Sequence, residues 1–435
     1  MLLVYTPRLT NRIGYTLNVL LGTILRIPYQ ITTDTQLLRQ SAEYKLVYGN
    51  ERVDDYPFIQ SSHFLLETRI SKQELGHFMF HGIHALFPTS ATSDIPFDPL
   101  ASAFFMLSRY EEYLPFQPDQ HGRFPATLSA AYEYGFLQSC VVDHWAIAIL
   151  DLLKQYYPDF QTVARKYNIQ TTIDIDAAYC YKHKGMLLTC AGLLKDVFIN
   201  HQSQLAIRRL KVLIHQEPDP FDTFQYILDT CKSQPRNHII FFALVSDYDT
   251  YDKPIHYTNT SFRKLLRNLY DYAKIGIHPS YPALENANRI NIETERLSEI
   301  THRNIIRNRF HYLRFRLPQS YQHLIDFNIQ HDYSMGYADQ PGFRSGTCTP
   351  YPYFDLTINQ EQPLTIHPFA AMDATFVHNL HYTADQSYDV YQKLIHETQS
   401  VNGTLCCLWH NQNLCEEGLW KGWRNIFETV SQSSN

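Results

Sequence analysis

The sequence has no basic block, no C-x-x-C pair, no internal repeat and no low-complexity tract. Each absence removes a class of protein. Lys plus Arg number 37 and Asp plus Glu 43, a formal net charge of −6. A mildly acidic chain without a basic stripe argues against nucleic acid as a partner. No apolar run reaches the ~18 uncharged residues of a membrane helix, so no membrane span is expected. The opening "MLLVYTPRLTNRIGY" lacks a basic start ahead of its apolar run, and Pro7 and Arg8 interrupt it, which argues against a signal peptide. The eight cysteines, with Cys406 and Cys407 adjacent in an apolar run, read as reduced thiols of a cytoplasmic protein. Oligomeric state is not legible.

What is present is globular. The chain has 435 residues, 44% hydrophobic and 18% charged, with 31 Tyr and 26 Phe. That length is enough for roughly two or three domains, and the composition supports a large core. "MLLVYTP" and "KLVYGN" read as short strands, and "NRIGYTLNVLLGTIL" has helical spacing. "FFMLSRYEEYLPF" (Phe104 to Phe116) and "WAIAILDLLKQYY" (Trp145 to Tyr157) are helical by period. Alternating strands and helices predict a small α/β domain over residues 1–165, with a linker around Pro158.

Over residues 166–435 the alternation restarts. Strand candidates are "TTIDID", "HIIFFALV", "KIGIHP", "HYLRF", "PLTIHPF" and "TLCCLWHN", with helices such as "SFRKLLRNLYDYA" and "YDVYQKLIHETQ" between them. Repeated βα units predict a barrel-like parallel sheet, with a doubly wound open sheet as the competitor.

Polar groups recur at the C-terminal ends of these apolar strands, where a barrel gathers its reactive side chains. "TTIDID" ends in Asp174 and Asp176, "KIGIHP" carries His278, and "TLCCLWHN" carries His410. Residues i and i+2 on a strand share a face, so the two carboxylates project together and repel. A divalent cation with a nearby histidine relieves that repulsion, leaving one carboxylate as a base. The alternative is a pair of aspartates that cap turns or pair with an arginine, beside histidines that are merely structural.

These residues resemble the motifs of the polysaccharide deacetylase superfamily, carbohydrate esterase family 4, over about residues 168–430. "TIDID" is similar to its T-F-D-D-G strand, "IGIHPSY" to its metal-histidine motif, and "LWHN" to its closing Leu-x-His. "FFMLSRYEEYL", "DQHGRFPA", "HDYSMGYAD" and "GFRSGTC" resemble recurrent segments of a bacterial subgroup with an uncharacterised N-terminal domain. The resemblance implies an α/β fold: a C-terminal distorted (β/α) barrel preceded by a smaller α/β domain. It implies a carbohydrate substrate and hydrolysis of an N-acetyl or similar acyl group.

By the same resemblance Asp174 is the base and His410 the general acid. Asp176, His278 and His311 hold a divalent metal, zinc foremost, with cobalt, manganese or nickel as substitutes. Arg309, Arg344, Tyr281 and Trp409 are the substrate-binding candidates. Two departures stand out. The aspartates are spaced i, i+2 rather than adjacent, and Pro282 occupies the place of the second metal histidine, which His311 is expected to replace. A non-catalytic carbohydrate- or partner-binding relative and a small-molecule amidohydrolase remain the competing functions. Arg109, Glu111 and Glu112 form either a second site or a polar face docked onto the barrel.

Overall fold

The computed structural model describes residues 1–199, 201, 203–232 and 237–433. The N-terminal apolar runs form a parallel sheet of β1 (Leu2–Tyr5), β2 (Tyr29–Thr32), β3 (Tyr44–Gly49) and β4 (Phe58–Gln60), in the order β2-β1-β3-β4. A small hairpin, β5 (Phe78–Phe80) and β6 (Ile83–Ala85), follows. The helices Pro99–Leu107 and Val141–Tyr156 complete this part.

Residues 161–167 carry neither helix nor strand. After them a nine-stranded sheet begins with β7 (Asn168–Ile175), β8 (Asn237–Ala243) and β9 (Lys274–Ile277). It continues with β10 (Arg307–Asn308), β11 (His331–Asp332), β12 (Tyr351–Asp355), β13 (Gln360–Ile366), β14 (Ala371–Met372) and β15 (Thr404–His410). The order is β12-β13-β11-β10-β9-β8-β7-β15-β14, and every pair is parallel except β12 with β13.

β7 and β15 are buried along most of their length on both faces, as parallel strands covered on two sides must be. Helices Thr260–Tyr272 and Ala384–Ser400 occupy the predicted segments. The first is capped by the Asn259 side chain, and the second by a Thr383–Gln386 capping box. The edge strand β12, its neighbour β13 and the opposite edge strand β14 follow one another along the chain. β13 stops at Ile366 and β14 starts at Ala371, and between them Phe369 N donates to Met335 O at 3.1 Å.

One hydrophobic core runs from Leu2 to Val430 across both sheets. Tyr15 and Phe104 pack on Phe354 of β12 at 4.9 and 5.0 Å, which seats the N-terminal part against that edge.

Two predicted elements change form. The helix expected over Phe104–Phe116 stops at Leu107, because Arg109 adopts φ 51° and a single 3-10 turn, Tyr110–Tyr113, follows. Arg109 is turned inward to bond Glu111, Glu112 and Tyr337. The expected strand "HYLRF" is a turn, His311–Leu313, with Tyr312 at φ 58° and Leu313 at φ 54°. The strand proper is the two residues of β10 just before it. His311 opens that turn, with its backbone N bonded to Pro279 O at 3.2 Å and its ring Nδ1 to Asp252.

Candidate metal centre

Asp174 is the last residue but one of β7 and Asp176 lies just past it, His278 follows β9, His311 follows β10, and His410 ends β15. Neighbouring parallel strands thus bring together four of the groups that the strand ends predicted, and the left-handed turn adds His311. His278 Nε2 lies 3.3 Å from Asp176 Oδ1 and 3.6 Å from Asp174 Oδ2. His311 Nε2 lies 3.7 Å from the same Asp176 Oδ1. Donor atoms of Asp176, His278 and His311 all fall within 4.8 Å of one another.

Each imidazole has its other nitrogen committed. His278 Nδ1 donates to the Arg309 carbonyl, and His311 Nδ1 to Asp252 Oδ1 at 2.6 Å. With Nδ1 carrying the hydrogen, a neutral ring presents a lone pair at Nε2. His278 Nε2, Asp176 Oδ1 and Asp174 Oδ1 are buried without a hydrogen-bond partner. Buried polar atoms without partners are costly. Two imidazole nitrogens and a carboxylate oxygen are donors that a zinc-class ion takes. The residues fit such an ion.

The electrostatics point the same way. Burial pushes the Asp176 carboxyl up, but His311, His278 and His410 outweigh it and hold it well below the usual carboxylate range. Burial pushes His278 down, but Asp174 and Asp176 raise it. The centre therefore favours added positive charge, which a proton on Nε2 or a divalent cation can supply.

Across from these groups stands a second pair. His410 Nδ1 donates to Asp373 Oδ1 at 2.7 Å, and His410 Nε2 is 3.7 Å from Asp176 Oδ2. Asp373 is fully buried and also accepts from the His410 and Asn413 nitrogens. Burial lowers the His410 pKa, yet Asp373 raises it further, to about 10. Arg309 lies between the rings of Phe242 and Phe369, with Nη1 3.8 Å from Asp174 Oδ1. The Ser280 backbone N and hydroxyl both donate to Glu293, which clamps the loop just after His278.

These groups open into a cavity of about 430 Å³. Its wall includes Tyr251, Tyr312, Lys253 and His378, and the N-terminal part contributes Gln120, His121 and Arg123.

Three of the substrate-binding candidates lie elsewhere. Arg344 is buried against Glu112, with Nη2 to Oε2 at 2.6 Å, so its charge is spent joining the two parts of the chain. Trp409 points to the other face of β15, fully buried on Tyr391, Trp423 and Phe427. Arg309 is fully buried and reaches Asp174, not the open cavity. Tyr281 stands one layer back, stacked on Tyr251 at 4.0 Å with its hydroxyl 3.0 Å from His121 Nδ1. Arg109, Glu111 and Glu112 form the buried network that holds Arg344 and do not form a second open site.

Asp252 and Asp373 escaped sequence reading. Both follow strand ends, and a search for every acid within a few residues of such an end would have found Asp373. Asp252 lies nine residues beyond β8, in an acid-rich loop that gives no register.

Residues 2–158 match a profile described as a family of unknown function, DUF7033. No curated protein matches the chain. Among solved structures, a putative polysaccharide deacetylase from Mycobacterium smegmatis is similar at TM-score 0.39 and 12% identity, over 62% of this chain and 85% of that one. A probable polysaccharide deacetylase from Pseudomonas aeruginosa PAO1 gives 0.37 and 10%, over 62% and 84%. A 4-alpha-glucanotransferase from Thermococcus litoralis gives 0.36 and 10%, over 62% of this chain and 38% of that one.

Proposed function

We propose that the protein hydrolyses an N-acyl group, acetyl foremost, from a sugar. The observation that carries this reading is the convergence of Asp176 Oδ1 with Nε2 of His278 and His311, while both Nδ1 atoms are already bonded. Asp176, His278 and His311 would hold a divalent cation, zinc foremost, with cobalt, manganese or nickel able to replace it. Such an ion supplies a Lewis acid for the acyl carbonyl and lowers the pKa of water.

Asp174 is the base. It is buried beside Arg309, and its Oδ1 has no hydrogen-bond partner, so it can accept the proton of an attacking water. Arg309 is thereby a positioning residue. His410 is the acid, since a pKa of about 10 keeps it protonated at neutral pH and able to protonate the leaving nitrogen. Asp373 fixes the His410 ring so that Nε2 carries that proton into the cavity.

The aromatic wall, Tyr251 and Tyr312, suits the apolar face of a sugar ring. The cavity lies within the small-ligand range of roughly 300–1,000 Å³, and His121 and Arg123 close one side, which favours a short or terminal sugar. The nine-stranded sheet is taken as a distorted barrel, supported by the short link from β13, the strand next to the edge strand β12, to the opposite edge strand β14. It divides the chain at 165/166, in the stretch without helix or strand. Eight free thiols suit a reducing compartment, and the cytoplasm is kept as the place of action.

The test is metal analysis together with acetate release from N-acetylated amino sugars. The wild type is expected to bind about one ion and release acetate. Asp174→Asn is expected to lose turnover and keep sugar binding. Wild-type protein that binds sugar but neither metal nor water-derived product is a carbohydrate-binding relative. Release from small formyl or ureido compounds alone would mark a small-molecule amidohydrolase.

A further inference from the structure

The segment that leaves the catalytic end of β7 does not return directly to the sheet. It forms a helix, Met186–Leu194, continued to Ile199, and then a second helix, Ser203–Leu213. The first has no buried residue and no charged one in "MLLTCAGLL". Met186 is 84% exposed, Leu187 88%, Phe198 69% and Ile199 69%. On the second helix Ile207 and Leu210 are also exposed. Side chains of this kind are normally covered, and a contiguous exposed group of them marks an interaction surface. A helix apolar over most of its circumference is suited to lipid or to full burial.

The surrounding charge selects between occupants. Between Lys182 and Lys211 lie six Lys or Arg residues and one acid, Asp196, in a chain of net charge −6. Arg209 pairs with Asp196, Arg208 with Glu417 and Lys211 with Glu217, while Lys182, Lys184 and Lys195 form no ion pair among the described residues. An apolar face flanked by unpaired cations matches an anionic lipid surface, where the face enters the headgroup boundary and the cations meet phosphate. Residues 186–199 span roughly 21 Å at 1.5 Å per residue, too short to cross a bilayer, so the mode is lying on it. Among the described residues no helix is long and apolar enough to cross a membrane.

The position of the surface gives it a use. The first helix starts ten residues after Asp176. The second is tied by Arg208 to Glu417, seven residues after His410. Both anchors lie at the strand ends that carry the catalytic groups.

We propose that this helical pair seats the protein on an anionic membrane surface, bringing the pocket to a sugar attached to lipid. The docking stands on the exposed face and its charge. Only the choice of a lipid-attached sugar rests on the hydrolase reading.

The experiment is sedimentation of the full chain with phosphatidylcholine vesicles and with vesicles holding about one-third phosphatidylglycerol. Binding is expected to the anionic vesicles, weaker in high salt, and equal with and without metal. The double variant Leu187→Glu/Phe198→Glu, at exposed positions, is expected to bind at least ~tenfold more weakly, with unchanged circular dichroism and unchanged turnover of a soluble substrate. Absence of wild-type binding to anionic vesicles would overturn the proposal. So would a wild-type dimer that the same substitutions disperse, since a second copy would then cover the face. Vesicle binding without any acetate release would leave the docking standing and remove the hydrolase reading.

Discussion

Replacing Asp252 with asparagine addresses the metal centre through a residue that touches no metal donor position directly except His311. Asp252 Oδ1 accepts from His311 Nδ1 at 2.6 Å, and the side chain is 1% exposed. Its charge fixes the ring tautomer with the lone pair at Nε2. An asparagine keeps the shape but offers an amide that can turn its NH2 toward Nδ1 and move the hydrogen to Nε2. Loss of such an outer partner typically costs 10–100-fold in metal affinity, or about 1.4–2.7 kcal/mol. The upper half of that range is expected, because a buried negative charge beside the cation is lost as well. The assay is zinc competition against a chromogenic chelator, with circular dichroism to verify the fold. Affinity within about twofold of wild type in a folded Asp252→Asn protein would refute the view that His311 is a ligand held by Asp252.

Three further outcomes follow from the same geometry. Asp373→Asn should lower kcat by about 10²–10⁴ with little change in KM, because His410 loses the acceptor that orients its proton; steady-state kinetics on an acetylated amino sugar reads this. Glu293→Gln should raise stability above neutral pH. Burial lifts the Glu293 carboxyl from 4.5 to about 7, so the folded state holds a proton that the unfolded state releases. The stabilisation is fully present below pH 4.5 and is lost as pH rises through about 7, an effect of about 3 kcal/mol that the glutamine should abolish in urea unfolding at pH 5 and pH 8. Glu112→Ala should destabilise by about 3–5 kcal/mol in the same assay, because it strands the buried guanidinium of Arg344 and leaves that of Arg109 with Glu111 as its one carboxylate; a loss below about 1 kcal/mol would mean that the network does not hold the two parts together.

The sequence by itself placed candidate groups at strand ends. Apolar strands ending in Asp174, Asp176, His278 and His410 are legible because strand period and burial are local, and a polar group closing an apolar run stands out. His311 was legible as a ligand candidate only through the resemblance, and its strand was read as too long. The left-handed turn at Tyr312 and Leu313, which ends the strand reading just after His311, has no glycine to announce it. Only the tertiary structure decided which buried charges serve which partner. Arg344 and Arg309 look alike along the chain, yet one meets Glu112 from a segment 232 residues away and the other meets Asp174. Asp252 and Asp373 acquire meaning in the same way. Local pattern fixes which face a side chain takes, but the partner of a buried charge is set by whichever distant strand end the sheet order brings beside it, and that order is a property of the whole fold.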